Sequence, residues 1–283
     1  MLNNQNTIVN KIGIFDSGIG GLTVAHAIHN ILPKENLLYI GDTAHSPWGD
    51  KSKSQIISYS TKLTSVLVEN DCKIVVIACN TASCLALNAI AAQFSHLKIF
   101  NVIDPTIMYL QQLDFNNFND IGIIGTKQTI HSNAYQNRIE TLQSELYITK
   151  KLQIKSLATP LLVPLIEEGW LNTQATSLII AEYLSQLDLQ DQSILILGCT
   201  HYPLIKQHIE NYYFKLNKKV IVIDSASLIA NQIKLFLQHT NQLNDNSMPN
   251  INNFYCTDNS EFFLQIAKQF FANITLDFLP LWE

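Results

Sequence analysis

Two cysteines in this 283-residue chain stand at the same kind of place. Lys73-Ile74-Val75-Val76-Ile77-Ala78 runs into Cys79-Asn80-Thr81-Ala82-Ser83, and Ser193-Ile194-Leu195-Ile196-Leu197-Gly198 runs into Cys199-Thr200-His201-Tyr202-Pro203-Leu204. Each is an apolar run, rich in β-branched residues, that breaks into a thiol and small hydrogen-bonding residues. The pattern predicts two buried parallel strands that deliver Cys79 and Cys199 to their carboxyl ends, where open α/β sheets place ligand sites. A thiolate at a strand end and helix start is stabilised by the partial positive charge of the helix, which lowers its pKa toward neutrality. Each thiol also has a proton partner. His201 lies two residues from Cys199, and Asp16 stands beside Cys79 if the first and third strands are neighbours. Ser17, Asn80, Thr81 and Thr200 supply neutral donors. Two acid/base thiols on opposite faces of one carbon can take a proton from one side and return one to the other, which is two-base racemisation or epimerisation.

Other readings of these residues carry less. Cysteine is among the most buried residue types, and Cys72, Cys84 and Cys256 read as core. A metal site from Cys79, Cys199 and His201 lacks both a fourth ligand and the close-set cysteine pair of structural zinc. A single Cys/His nucleophile leaves the second thiol unexplained. Asp16-Ser17-Gly18-Ile19-Gly20-Gly21 has neither the glycine spacing of a dinucleotide fingerprint nor the Gly-Lys-Ser/Thr of a P-loop, although its backbone N–H groups could hold a small carboxylate.

Composition narrows the classes further. Hydrophobic content of 47% with 14% charged residues fits a globular chain long enough for two domains. A net charge of −5 and a pI near 5.9 argue against nucleic acid as a partner. Arg138 is the single arginine, so a guanidinium clamp on a substrate is nearly excluded. The N-terminus is polar, and no apolar run approaches the ~18 residues of a membrane span. The expectation is a cytoplasmic protein without a membrane partner. Five cysteines, an odd number at irregular spacing, fit free thiols in a reducing compartment better than a disulfide framework.

The elements that must position the thiols follow in chain order. Lys11–Phe15 reads as a strand opening on the glycine-rich turn and a helix start. Asn36–Ile40 is a second strand, and the loop Gly41-Asp42-Thr43-Ala44-His45-Ser46-Pro47-Trp48-Gly49-Asp50 is a candidate lid or pocket wall. Helices are expected over 53–70 and 82–94, and a strand over 98–103 that Asp104-Pro105 stops. Asp120–Ile124, leading to Gly125-Thr126, echoes the first strand, and the run into Cys199 echoes the run into Cys79. Two prolines and a carboxylate pair in Thr159–Trp170 suggest a turn and a helix start, with Glu167 and Glu168 readable as a solvated first turn. Helices are expected over 172–187, 226–238 and 261–272, a strand over 218–223 and an exposed connection over 239–253. The fold expected is α/β: two pseudosymmetric open domains with mainly parallel sheets and the active site in the cleft between them. Residues 1–103 and 218–283 form the first domain and 104–217 the second. The apolar tail Phe278–Trp282 is either an interface, with a homodimer as its simple form, or packs on its own domain.

Asp16-Ser17-Gly18-x-Gly20-Gly21-Leu22-Thr23-Val24, Gly41-Asp42-Thr43-Ala44, Ala78-Cys79-Asn80-Thr81-Ala82 and Leu197-Gly198-Cys199-Thr200-His201-Tyr202-Pro203-Leu204 together resemble the glutamate racemase family, in the family's order and over most of the chain. The resemblance implies interconversion of L- and D-glutamate without a cofactor or metal, with the D-isomer going to peptidoglycan. It makes Cys79 and Cys199 the two catalytic acid/bases, assisted by Asp16 and His201, and adds Glu167 as an acidic group near the second thiol. It makes Asp16-Ser17, Asn80-Thr81, Thr200-His201, Thr126 and the Trp48-Gly49 pair substrate-binding. The family's loop commonly reads Pro-Tyr-Gly, and Pro47-Trp48-Gly49 departs from it: an indole offers one N–H donor and no acceptor. A relative acting on aspartate or another small acid, and a catalytically idle ligand-binding relative, are the alternatives.

Overall fold

The computed structural model describes residues 10–146, 151–244, 251–258, 261–271 and 276–282; most of the polar N-terminus and the centre of the 239–253 connection lie outside them. Strands β1 (Lys11–Asp16), β2 (Leu37–Gly41), β3 (Cys72–Ile77) and β4 (Lys98–Asn101) belong to a first sheet, and β5 (Asp120–Gly125), β6 (Gln153–Ala158), β7 (Ser193–Gly198) and β8 (Val220–Ile223) to a second. Two late strands, β9 (Asn253–Cys256) and β10 (Leu276–Phe278), return to the first. The orders are β10-β9-β2-β1-β3-β4 and β6-β5-β7-β8, and every pairing is parallel. Leaving out the two added edge strands, the sheets share one order, with β3 and β7 in equivalent places. The echo between the two cysteine-bearing runs is therefore a repeat of topology.

Strands β1, β3, β5 and β7, which lie inside their sheets, are almost wholly buried. Sheets covered on both faces need apolar side chains in both directions, which is why these strands read as continuous runs. The helices that cover them are α1 (Leu22–Ile31), α2 (Lys53–Glu69), α3 (Asn80–Leu85), α4 (Leu87–Gln93), α5 (Ile103–Leu110), α6 (Lys127–His131), α7 (Ala134–Glu145), α8 (Leu162–Glu167), α9 (Gln174–Leu187), α10 (Lys206–Lys215), α11 (Ala226–His239) and α12 (Glu261–Phe270). A capping box between Ser52 and Gln55 starts α2.

Several expectations are corrected. The helix expected over 82–94 is two, α3 and α4, divided at Ala86. Asp104-Pro105 does not merely stop a strand; it lies in the first turn of α5, where a missing backbone N–H leaves no helical bond unmade. The boundary at residue 218 falls one strand too early, because β8 pairs with β7 from Ser193↔Val220 to Ile196↔Ile223. A short apolar run carries no signal for which sheet it joins. Strand β6 is absent from the sequence reading because it is an edge strand with only partly buried side chains and no apolar run.

The halves also exchange helices. α5, which follows the first sheet's β4, buries Ile103, Ile107 and Leu110 with Ile121, Ile123, Ile194 and Ile196 of the second. α11, which follows the second sheet's β8, buries Ile229, Ile233 and Leu237 with Leu22, Ile28 and Val76 of the first. The tail packs on the chain itself: Leu279 and Leu281 lie against the cluster of Phe15, Ile40 and Ile77. Among the described residues, no helix is long and apolar enough to cross a membrane.

Candidate active site

The segments that leave the carboxyl ends of β1, β2 and β3 meet those that leave β5, β6 and β7. Thr200 donates from Oγ1 to Asp16 Oδ1 at 3.3 Å, and Thr23 Oγ1 donates to the Thr200 carbonyl at 3.0 Å. Thr81 and Thr126 share a hydroxyl contact of 3.0 Å, Tyr135 donates to Asn80 Oδ1 at 2.6 Å, and Ser46 donates to Glu167 Oε1 at 3.2 Å. All of these bonds cross from one half to the other. Cys79 and Cys199, 4% and 5% exposed, lie at this seam.

On the Cys199 side the residues form a line. The His201 Nδ1 stands 3.7 Å from the Cys199 sulfur, and Nε2 stands 3.0 Å from Glu167 Oε1. Burial alone would lower the histidine's pKa, but its bonds with Cys199 and Glu167 outweigh that and hold it well above the ordinary value. Burial likewise works against the Glu167 carboxylate, and His201, with help from Ser46, more than offsets it, so this group sits below its ordinary range. Both shifts favour the charged forms, an imidazolium beside a carboxylate, with one ring nitrogen facing the Cys199 sulfur and the other facing Glu167.

The Cys79 side is electrostatically different. Asp16 is fully buried; its Oδ2 accepts from the Gly18 and Gly21 N–H groups at 3.1 and 3.0 Å, yet burial raises its pKa overall. Cys79 stands at the start of α3 with its sulfur 3.8 Å from the Ser17 hydroxyl. Its thiol is pushed well up, first by burial and then by the Asp16 carboxylate. The expected lowering of both thiols at helix starts therefore fails for Cys79: a six-residue helix does not outweigh full burial beside a carboxyl group.

Around the thiols stands a ring of neutral groups. Thr126 caps α6, accepting from the Thr129 N–H at 3.2 Å, and its hydroxyl meets those of Thr81 and Thr129 at 3.0 Å. Asn80 is 1% exposed; its Oδ1 is held by Tyr135 while its Nδ2 has no partner within the protein. Gly49 approaches Thr126 so closely that a Cβ on it would lie 2.9 Å from the Thr126 Cβ. The loop between β2 and α2 thus closes on the second half through Ser46 and Gly49.

The Trp48 side chain turns inward. Its indole is 1% exposed, belongs to the first half's core and donates to Asp42 Oδ2 at 3.0 Å. The side chain is spent inside the first half, so only the backbone of the Trp48-Gly49 pair remains for a substrate. The sequence reading missed Thr23, Ser46, Thr129 and Tyr135. Thr126-x-x-Thr129 was detectable as a helix start; Tyr135 reaches its partner 55 residues away from across the seam, for which spacing holds no signal. Among the described residues, no group of three or more His, Cys, Asp or Glu side chains is placed to hold a metal ion.

The chain is similar to known proteins along most of its length. It is 44% identical over 224 residues to the glutamate racemase of Sulfurihydrogenibium sp., covering 79% of this chain and 81% of that one. It is 37% identical over 259 residues to that of Chlorobaculum parvum, covering 92% and 91%. Among solved structures, the glutamate racemase of Francisella tularensis in complex with D-glutamate superposes with a TM-score of 0.86 at 30% identity, covering 98% of this chain and 99% of that one. The sequence profile of the Asp/Glu/Hydantoin racemase family matches residues 24–233, and the chain belongs to that family.

Proposed function

We propose that this chain interconverts L- and D-glutamate by a two-base proton transfer between Cys79 and Cys199, without a cofactor. The observation that carries the mechanism is the placement of two buried thiols at one seam, each beside its own partner groups. Cys79 lies 3.8 Å from the Ser17 hydroxyl and is pushed up by burial and the Asp16 carboxylate, while Cys199 lies 3.7 Å from His201 Nδ1. One thiol can then serve as acid while the other serves as base. In the L-to-D direction Cys199 takes the α-proton as the Cα–H bond breaks, and Cys79 gives its proton to the opposite face of the carbanion. The reverse reaction exchanges the roles. His201, bonded to Glu167, is placed to exchange a proton with Cys199, and Asp16 is the acidic group that faces Cys79.

The substrate's charged groups would be met by neutral donors and short dipoles: Ser17, the Asn80 Nδ2, Thr81, Thr126, Thr200 and the backbone at Gly49. A Cα–H beside a carboxylate is a very weak acid, and the near-complete burial of both cysteines supports a water-poor site in which such donors act strongly. Five free cysteines, four of them buried, fit a reducing compartment, so we place the reaction in the cytoplasm and its D-glutamate in the supply of peptidoglycan.

Proton NMR of L-glutamate in D₂O with the purified protein, followed in parallel by circular dichroism, tests the reading. Loss of the α-proton signal with decay of optical activity is expected, with deuterium appearing first in the product enantiomer. Cys79→Ser and Cys199→Ser should each nearly abolish inversion. Exchange with aspartate and not glutamate would move the substrate assignment, and full activity in either serine variant would end the two-base one.

A further inference from the structure

The loop that closes on the second half is held from behind by the end of the chain. Asp42, fully buried, gathers four donors: the Thr257 hydroxyl to Oδ1 at 2.7 Å, the Trp282 indole to Oδ1 at 2.8 Å, the Trp48 indole to Oδ2 at 3.0 Å, and the His45 ring at 3.0 Å from Oδ2. The rings pack around it. His45 stacks on Tyr59 with centroids 4.1 Å apart, Trp282 meets His45 edge-on at 4.6 Å and Tyr59 at 5.2 Å, and Trp48 lies 5.7 Å from Tyr59. Both of these tryptophans direct their single N–H to the same carboxylate, one from the loop between β2 and α2 and the other from the segment after β10.

We propose that Trp282 is a positioning residue for the reaction, setting the 42–50 loop through Asp42 so that Ser46 meets Glu167. The line is continuous: Trp282 to Asp42, Asp42 to Trp48 and His45, which flank Ser46, then Ser46 to Glu167, Glu167 to His201 and His201 to Cys199. Trp282 touches no reacting atom. Its effect is to fix where the 42–50 loop lies, and charge-assisted bonds to a buried carboxylate are strong enough to do this. The inference also accounts for Trp48: an indole serves here because its donor faces Asp42, a role that asks for no acceptor.

The inference rests on the racemase reading only for its kinetic arm. Trp282→Phe keeps an aromatic ring against His45 and Tyr59 and removes the N–H. Hydrogen exchange of the 42–52 backbone, measured by mass spectrometry without substrate, should run roughly 10-fold faster in this variant, the effect of one lost bond to a charged group. Turnover of glutamate should fall about 3- to 10-fold, and Ser46→Ala should be non-additive with Trp282→Phe in a double-mutant cycle. Unchanged exchange in the folded variant overturns the hold on the loop. Faster exchange with additive kinetic effects overturns the route through Ser46. If the unmodified chain turns over no glutamate, the racemase reading fails, and the exchange arm still decides whether Trp282 sets the loop.

Discussion

Gly20 is where the glycine turn of one half touches the histidine of the other. A Cβ built on it would overlap the His201 Nδ1 and the Thr200 Oγ1, and would lie 2.7 Å from His201 Cε1. Carbon contacts sit at about 3.5–4.0 Å, so in Gly20→Ala the ring must retreat by roughly 1 Å or the turn must lift away. The ring has little room, being 2% exposed and tied through Nε2 to Glu167 at 3.0 Å. A ring displaced by that much no longer holds the 3.7 Å approach of Nδ1 to the Cys199 sulfur. Lifting the turn instead loosens the Gly18 and Gly21 N–H groups from Asp16. Overpacking of this kind costs about 1–3 kcal/mol of stability, and misplacement of a reacting group by about 1 Å costs on the order of 100-fold in rate. Circular dichroism at saturating L-glutamate gives kcat, and thermal unfolding of the same sample gives the stability change. A folded Gly20→Ala protein with kcat within about threefold of the parent would refute the argument that His201 must sit where it does.

Glu167→Gln should move the titration of His201 down by about 1–2 pH units, the worth of one bond to a charged group, read by NMR of the ring and by the alkaline edge of kcat/KM; a His201 titration within a few tenths of the parent would contradict the pairing. The sign for stability follows from the same shifts. His201 is raised, so its contribution is complete below its ordinary value of 6.5 and is lost as pH rises through the raised one. Glu167 is lowered, so its contribution is complete above its ordinary value of 4.5 and is lost as pH falls through the lowered one. Unfolding experiments across pH should show this part of the stability vanish in Glu167→Gln. Tyr135→Phe should raise KM for glutamate about 2- to 10-fold with little change in kcat, because Asn80 loses the donor that turns its NH₂ group toward the seam; a fall in kcat at unchanged KM would contradict that role.

The two thiols were legible because burial on both faces forces a parallel strand to be apolar throughout, so the residue that breaks the run marks the strand's end. Topology beyond that was legible only in part. Nothing in Val220–Ile223 says which sheet it joins, and β6 carries too few apolar residues to stand out at an edge. Direction was the least legible quantity. Trp48 sits at the tip of a polar loop whether its ring faces a substrate or a buried carboxylate, and Asp42, its partner, looks like one more turn residue. Contacts made across the seam, such as Tyr135 on Asn80 and Ser46 on Glu167, depend on how two halves meet, which no local pattern encodes.

The return of the chain's end to the first sheet has a consequence for how the protein is made. Asp42 and its partner Thr257 are 215 residues apart, so at ordinary translation speeds roughly 10–40 s separate their synthesis. During that time β2 has no neighbour on its outer side, and an open strand edge is a template for pairing with other chains. The second half, whose four strands are contiguous in the chain, meets no such delay. A growing chain therefore carries an incomplete first half until β9 and β10 emerge, and a ribosome that stalls after β8 leaves behind a protein that holds Cys79 and Cys199 yet has an unfinished sheet.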